Sequence, residues 1–487
     1  MQKIFSFVFS RKILVLLLFV FGTVYLFSLY HRFIQSDENW FGEEAYYFVK
    51  DGIVKLKSMP VVYHPDQQVF VIHKLFVYLG SVLIGIFGWS LWPLKIFIFF
   101  CYALFIFIFN NWLKGSYLNF NFHQRLLTIF ILATTPIMIE QTFIFRPEVI
   151  MMLLVFMSFV FINKGLKEDS YYSIALGALF AAVSFLVHLN GNAIVVAGFL
   201  YILSLKRFKS LLVYSSVAGI VCLMYFIDIF SITKLHSYFA ELRNISFNVY
   251  SKDTSTNSFL VFKLNGLLSE HQRFFWSDRV SVISAFFFIS LISVYKDLRK
   301  KYPELIWYFV ILVICGNLFG SFIAERYVIY YLPFMAIIIA FAIFKVLEQK
   351  AKILPYIFVV LMIAHITAVI IRFNSCIQQN YDHEKVHSEI LSHIPKQSKV
   401  LAPWEFIYNG IADYNIVSFK NIEYYHNRLL DKKELNEVIA KLNTDYIIVS
   451  DRFDDYSNVN IEEIRKIGIN SYKPIYSDKN YTILKKD

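Results

Sequence analysis

Asp37-Glu38-Asn39-Trp40-Phe41-Gly42-Glu43-Glu44-Ala45-Tyr46-Tyr47, followed at a short distance by Tyr63-His64-Pro65-Asp66, lies between the first two long apolar blocks of the chain. The two stretches hold five carboxylates, Asp37, Glu38, Glu43, Glu44 and Asp66. Ionised groups are costly near hydrocarbon, so acids gathered between apolar blocks call for a reason, and catalysis or ion handling is the usual one.

Composition shows what surrounds that loop. Hydrophobic residues make up 57% of the 487, the mean hydropathy is +0.53, and there are 52 phenylalanines, more than a soluble domain could bury. The chain reads as a polytopic α-helical membrane protein. Its formal charge of +11 is spread as short basic clusters between apolar runs rather than as one stripe, a pattern that reports topology and argues against nucleic-acid binding. Cys101, Cys222 and Cys315 lie inside apolar runs and Cys376 just beyond the last one. With no CxxC pair, neither a disulfide framework nor a metal-thiolate site is indicated.

Lys3, Arg11 and Lys12 precede an apolar stretch from Ile13 to about Tyr30 with no small-residue cleavage site, which reads as a retained helix with a cytoplasmic start. Lys114 with Arg125, Lys164 with Lys167, Lys206-Arg207 with Lys209, Lys296 through Lys301, and Lys345 through Lys352 mark the later cytoplasmic loops. If both Val69–Phe87 and Leu91–Trp112 crossed the membrane, the Lys114 cluster would fall outside. Val69–Phe87 is therefore expected to be interfacial or half-inserted. About 11 spans remain, near 13–30, 91–112, 126–144, 147–163, 171–188, 190–205, 211–230, 280–295, 305–324, 327–347 and 353–371. The unusual polar residues then share the outer side. They comprise the first loop (about 31–90), Arg146-Pro147-Glu148, His188-Leu189-Asn190-Gly191-Asn192, the second large loop (about 231–279) and Glu325-Arg326.

Residues 1–371 thus form an expected transmembrane catalytic domain. From about Arg372 the composition turns to that of a soluble module, 372–487, predicted extracytoplasmic and α/β. His383–Ile394 and Lys432–Leu442 show helical periodicity, Lys399–Ala402 opens a strand, and Tyr446-Ile447-Ile448-Val449 has the pattern of a buried strand. No Gly-rich phosphate loop occurs in it.

Trp40-Phe41-Gly42-Glu43-Glu44-Ala45-Tyr46, then His64-Pro65, Phe87-Gly88-Trp89-Ser90 and Leu94-Lys95, resembles the first-loop signature of the GT-C membrane glycosyltransferases. The match is to the protein mannosyltransferase and aminoarabinose transferase branch, written W-x-D-E-A, H-P-P, F-G-x-S. Arg146-Pro147-Glu148, Arg326-Tyr327 and Pro333 extend the likeness along the chain. The resemblance implies transfer of a sugar from a polyprenyl-phosphate carrier to an acceptor outside a bacterial cytoplasmic membrane. It casts Glu43 and Glu44 as the acidic pair. Here the usual Asp is replaced by Glu43, which leaves Asp37 as a rival base, and Asp66 stands where the family has a second proline.

Such chemistry needs a carboxylate to take the acceptor's proton and cations to hold the leaving phosphate. Glu43 is the expected base, with Glu44 and Glu148 positioning the acceptor or a metal. Arg326, Arg273 and Arg146 are the phosphate candidates, and His64, His188 and Asp66 the acceptor or cavity residues. No cofactor is certain. A divalent metal on His64, Asp66 and His271 is an option for which no ligand spacing speaks. Each residue also has a plain reading: acids in a helix's first turn, Pro147-Glu148 as an ordinary helix start, and Arg146 as an interfacial anchor. A polysaccharide flippase or other transporter, a surface-polysaccharide polymerase or ligase, and a non-catalytic relative remain alternatives. Transporters usually carry their ionisable groups at mid-membrane, not in an outer loop.

Overall fold

A computed structural model describes the chain except residues 1, 31, 33, 116, 251–264, 321–323, 349–352, 378–381, 426–428 and 456. The 251–264 part of the second outer loop, the Lys350-to-Lys352 end of the last basic cluster and the Cys376 side chain lie outside the described residues. Two compact units are formed. The first comprises Met1–Arg32, Val71–Phe76 and Lys95–Gln379, and the second Phe33–Phe70, Val77–Leu94 and Asn380–Asp487. Most of the first-loop sequence is thereby grouped with the C-terminal residues, a grouping that hydropathy patterning does not display.

The first unit is helical. Among the described residues, six helices are long and apolar enough to cross a membrane: Arg11–Leu29, Leu91–Lys114, Glu148–Lys167, Phe208–Ile229, Ser281–Lys301 and Leu354–Ser375. Shorter apolar helices, Phe122–Ala133, Tyr171–Val187, Leu189–Ser204, Pro303–Leu318 and Leu332–Glu348, lie in the other expected runs. Irregularities arise where the sequence forces them. The 126–144 run breaks because Pro136 starts a new helix, while the hydroxyls of Thr134 and Thr135 donate back to the carbonyls of Phe130 (2.6 Å) and Ile131 (2.7 Å). Glu148–Lys167 is the inner helix, and Phe156 on it meets Phe109 and Trp112 edge-on at 5.1 Å. Gly177 lets its helix approach closely, since a Cβ there would meet Ile162 at 2.7 Å. Phe19, Phe100, Leu212, Ile292 and Val360 face outward, an apolar coat suited to lipid rather than water.

The run expected to be interfacial forms a helix only over Lys74–Phe87, 14 residues. At 1.5 Å per residue this is about 21 Å, short of the roughly 30 Å of hydrocarbon.

In the second unit, five strands stand in the order β2-β1-β3-β5-β4: β1 Lys399–Ala402, β2 Asn415–Ser418, β3 Tyr446–Ser450, β4 Tyr472–Ser477 and β5 Tyr481–Lys486. β1 runs parallel to β2 and β3, and β5 antiparallel to β3 and β4. Side chains alternate between two cores: Leu401, Val417, Ile447 and Leu484 point to one, Val400, Ile416, Ile448 and Ile483 to the other. β3 is buried throughout because both faces are covered, as its unbroken apolar sequence predicts. The predicted helices appear as His383–Ser392 and Lys432–Leu442, the latter opened by an Asp431/Glu434 capping box.

The Ser36–Asp51 helix belongs to the same unit. Its start is closed by Glu38, which accepts the Gln35 amide at 3.0 Å, and its end by Gly52 at φ +73°. Tyr47 enters the second of the two sheet cores. Trp40 stacks on Trp404 at 5.1 Å, and Gly42 leaves room for Tyr408, whose hydroxyl donates to the Glu38 carbonyl at 2.6 Å. Ala45, fully buried, accepts the Ser81 hydroxyl through its carbonyl at 3.1 Å. Much of the Trp-Phe-Gly-Glu-Glu-Ala pattern is therefore a packing surface.

Candidate functional site

In the first unit, the turn before the Glu148–Lys167 helix folds Arg146 back onto the acid two residues ahead. Arg146 Nη2 reaches Glu148 Oε1 at 2.6 Å and its Nε reaches Oε2 at 3.1 Å, a forked pairing in which both side chains are buried. Arg326, from the 3₁₀ helix Glu325–Tyr330, adds its Nε at 3.4 Å from Glu148 Oε1. Two guanidiniums thus converge on one carboxylate. Arg326 stays a quarter exposed, so a ligand can reach it.

Beside this triad stand two imidazoles. His188 stacks on His73 with ring centroids 4.0 Å apart and meets Tyr327 edge-on at 5.9 Å. The Asn190 amide donates to His188 Nδ1 at 3.0 Å, leaving Nε2 to carry the ring's donor proton. His73 sits on a clamped segment: Val71 N donates to Glu241 at 3.0 Å, the Ile72 carbonyl accepts the Tyr225 hydroxyl at 3.0 Å, and Lys74 pairs with Asp228. Phe76 stacks on Phe145, next to Arg146, at 4.4 Å.

Arg273 is buried, 3.2 Å from Glu270 and donating to the Tyr331 hydroxyl at 3.2 Å. It lines a small cavity with Asn190, Tyr327 and Tyr330, which associates it with the same neighbourhood.

In the second unit, Glu43 and Glu44 are both buried on the Ser36–Asp51 helix. Glu43 accepts the Ser58 amide at 2.9 Å and the Ser58 hydroxyl, one on each oxygen. Asn421 in turn fixes Ser58, donating to its carbonyl at 2.7 Å and accepting the Val61 amide at 3.1 Å. Burial pushes the Glu43 carboxyl up from 4.5 to about 7, against the opposing hydrogen bonds from Ser58. Burial, and then the charge of Glu43, holds Glu44 well above the usual carboxylate range. Glu43 and Asp66 line one cavity of about 250 Å³.

The structure moves several sequence expectations. The histidine beside the arginines is His73, whereas His64, the one chosen by motif, is exposed in the second unit. His271 is exposed, its Nδ1 3.0 Å from the Leu268 carbonyl. The Asp66 amide donates to His64 Nδ1 at 3.4 Å, and among the described residues no group of three or more His, Cys, Asp or Glu is placed to hold a metal. Glu148, the carboxylate of the arginine cluster, already pairs with two guanidiniums, a setting that disfavours a further cation. Asp37 lies in the first helical turn, where an acid suits the helix dipole.

Glu140 was missed, although an acid inside the 126–144 apolar run is a signal in itself. It is buried and pairs with Arg279 (3.3 Å) and Arg372, while Arg32 donates to the carbonyls of Ile139 and Glu140. Arg279 also reaches Glu325, the neighbour of Arg326, at 3.2 Å.

No protein-family model matches the chain, and no curated protein matches it in sequence. Solved structures do match. ArnT from Cupriavidus metallidurans bound to undecaprenyl phosphate superposes with a TM-score of 0.57 at 10% identity, over 98% of each chain. The chain shares the fold of that protein. Archaeal oligosaccharyltransferase AglB from Archaeoglobus fulgidus, in complex with an inhibitory peptide and a dolichol-phosphate, gives 0.53 at 13% identity over 96% of this chain and 74% of that one. The Archaeoglobus fulgidus oligosaccharyltransferase complex with Zn and sulfate gives 0.55 at 14%, over 96% and 73%. At these identities the likeness is one of fold.

Proposed function

We propose that this protein is a glycosyltransferase that moves a sugar from a polyprenyl-phosphate-linked donor to a lipid, protein or glycan acceptor at the outer face of a bacterial cytoplasmic membrane. The finer topology belongs to the same reading: 11 spans, a catalytic domain over 1–371 and the module 372–487 outside. One observation carries it. Arg146 and Arg326 converge on Glu148 beside His73 and His188, a preorganised cluster in which the Arg326 side chain stays partly open to a ligand. Fixed donors of this kind stabilise a phosphate that gains charge as it leaves. The solved relatives of this fold hold dolichol-phosphate or undecaprenyl phosphate, which supports the donor class.

The reaction is a single displacement. The acceptor hydroxyl gives its proton to a carboxylate as its oxygen bonds to the sugar's anomeric carbon. The bond from that carbon to the phosphate oxygen breaks, and the electron pair leaves with the polyprenyl phosphate. Glu43 is the proposed proton acceptor. Its carboxyl lies near 7, where a base is both partly ionised and strong enough to draw a proton, and the bonds from Ser58 and the Lys57 backbone leave room on the carboxylate for a further one. Glu44 is proposed to assist in positioning. Glu148 keeps the arginines aimed, and Arg273 supports Arg326 through the Tyr327 neighbourhood.

The test is sugar transfer by the purified protein in nanodiscs with a polyprenyl-phosphate sugar. Glu43→Gln keeps size but cannot take a proton, so turnover should fall about 10² to 10⁴-fold with donor binding retained. Near-normal turnover in Glu43→Gln together with loss in Asp37→Asn moves the base to Asp37.

A further inference from the structure

Glu140 is a buried acid of the first unit that the transfer chemistry above does not use. It sits on the short helix Pro136–Gln141 and is held by residues from the first and last of the long helices. Arg32, just past Arg11–Leu29, donates to the carbonyls of Ile139 and Glu140, and Arg372, on Leu354–Ser375, pairs with the Glu140 carboxylate. That carboxylate is a fixed point.

Arg279 connects the fixed point to the arginine cluster. It stands in the turn that opens the Ser281–Lys301 helix, where its amide donates to Ser277 Oγ at 3.3 Å and the Ser281 amide to the Ser277 carbonyl at 2.9 Å. One nitrogen, Nη1, lies 3.3 Å from Glu140 Oε1 and 3.2 Å from Glu325 Oε1, so a single guanidinium bridges two acids. Glu325 is the first residue of the 3₁₀ helix Glu325–Tyr330, and Arg326 is the second. A 3₁₀ helix has poorer hydrogen-bond geometry than an α-helix and, with three residues per turn, rotates by about 120° per residue. Pinning Glu325 therefore sets the rotation of that first turn. With it is set the direction in which Arg326 leaves the backbone to bring its Nε within 3.4 Å of Glu148 Oε1.

We propose that Arg279, bridging Glu140 and Glu325, is a positioning residue for Arg326: it holds that guanidinium where it meets Glu148, without touching the ligand itself. The positional claim stands on the bridge alone, while its consequence for phosphate binding rests on the transferase reading. Charge by itself gives a different expectation. Arg279 and Glu325 have opposite signs, so as mere sources of field their removal would shift the affinity for an anion in opposite directions. As two halves of one strap, their removal acts in the same direction.

Two measurements on the intact protein test this, with melting temperatures confirming that the variants fold. In detergent and without ligand, modification of Arg326 by phenylglyoxal is followed by mass spectrometry in the parent, Arg279→Gln and Glu325→Ala. Both variants should speed it roughly threefold or more, within the reach of a lost, partly exposed ion pair, as Arg326 leaves Glu148. Arg279→Lys should speed it less, because an ammonium still bridges two carboxylates. In nanodiscs, Arg279→Gln and Glu325→Ala should each weaken polyprenyl phosphate binding about three- to fivefold. In an Arg326→Ala background Arg279→Gln should add nothing, because its effect runs through the missing side chain. Equal Arg326 reactivity in the parent and both variants overturns the proposal, as does an affinity that falls with Arg279→Gln but rises with Glu325→Ala. Faster modification in both variants, with polyprenyl phosphate bound normally even by Arg326→Ala, keeps the positioning role and removes the phosphate site of the transferase reading. Affinity lost in Arg326→Ala but unchanged in Arg279→Gln and Glu325→Ala does the reverse.

Discussion

Two buried acid centres, one in each unit, solve the problem of a carboxylate out of water in opposite ways. Glu148 is met by two guanidiniums and is held as an ion pair. Glu43 is met by the Ser58 amide and hydroxyl and by the Lys57 backbone instead of by guanidiniums, and burial drives the Glu43 and Glu44 carboxyls upward. The same residue type therefore becomes a fixed counter-ion in one place and a proton acceptor poised near neutrality in the other. The neighbours decide which.

The contrast breaks most visibly at Glu148. Removing one member of a buried ionic group strands the others, typically at about 3–5 kcal/mol. Glu148→Ala should lose stability on that scale in thermal unfolding, and added polyprenyl phosphate should restore part of it by supplying the missing anion. A loss below about 1 kcal/mol would mean the arginines do not depend on Glu148.

The second unit sharpens the comparison through pH. Folded Glu43 holds its proton more tightly than the unfolded chain does. The stability this contributes is full below 4.5 and declines as pH rises through about 7. Unfolding free energy should fall by up to about 3 kcal/mol between pH 5 and 8, and Glu43→Gln, neutral at every pH, should flatten that slope. An equal slope in the variant contradicts the assignment. A smaller effect is expected one step back. Asn421→Ala removes three hydrogen bonds around the Ser58 loop and should cost about 1–3 kcal/mol. Rescue by Asn421→Asp is expected to be incomplete, because an acid cannot donate to the Ser58 carbonyl.

The apolar runs, the short Lys74–Phe87 helix and the strands Lys399–Ala402 and Tyr446–Ser450 were legible because periodicity and length are local properties. So were Arg146, Glu148 and Arg326, whose charges stand out against apolar surroundings. His73 was passed over because His64-Pro65 looked more like the motif, yet His73-Lys74 is the ionisable pair inside an apolar run, and that is the physical signal. Ser58 and Asn421 carried no signal at all. They are common polar residues 363 positions apart, and only folding brings them together to set the environment of Glu43. The Trp40-Phe41-Gly42 pattern was read as chemistry but serves packing, since Trp404 and Tyr408 could not be foreseen as its partners.

The central claim is that the arginine pair on Glu148 holds the donor's phosphate, and its most direct measurement is the affinity of the purified protein for polyprenyl phosphate in nanodiscs, parent against Arg326→Ala. A charged hydrogen bond is worth about 1.5–3 kcal/mol, so affinity should fall roughly ten- to a hundredfold, with Arg326→Lys between the two because an ammonium lacks the guanidinium's fork. An Arg326→Ala protein that binds polyprenyl phosphate as tightly as the parent would contradict the account and leave Arg326 as an anchor for its helix.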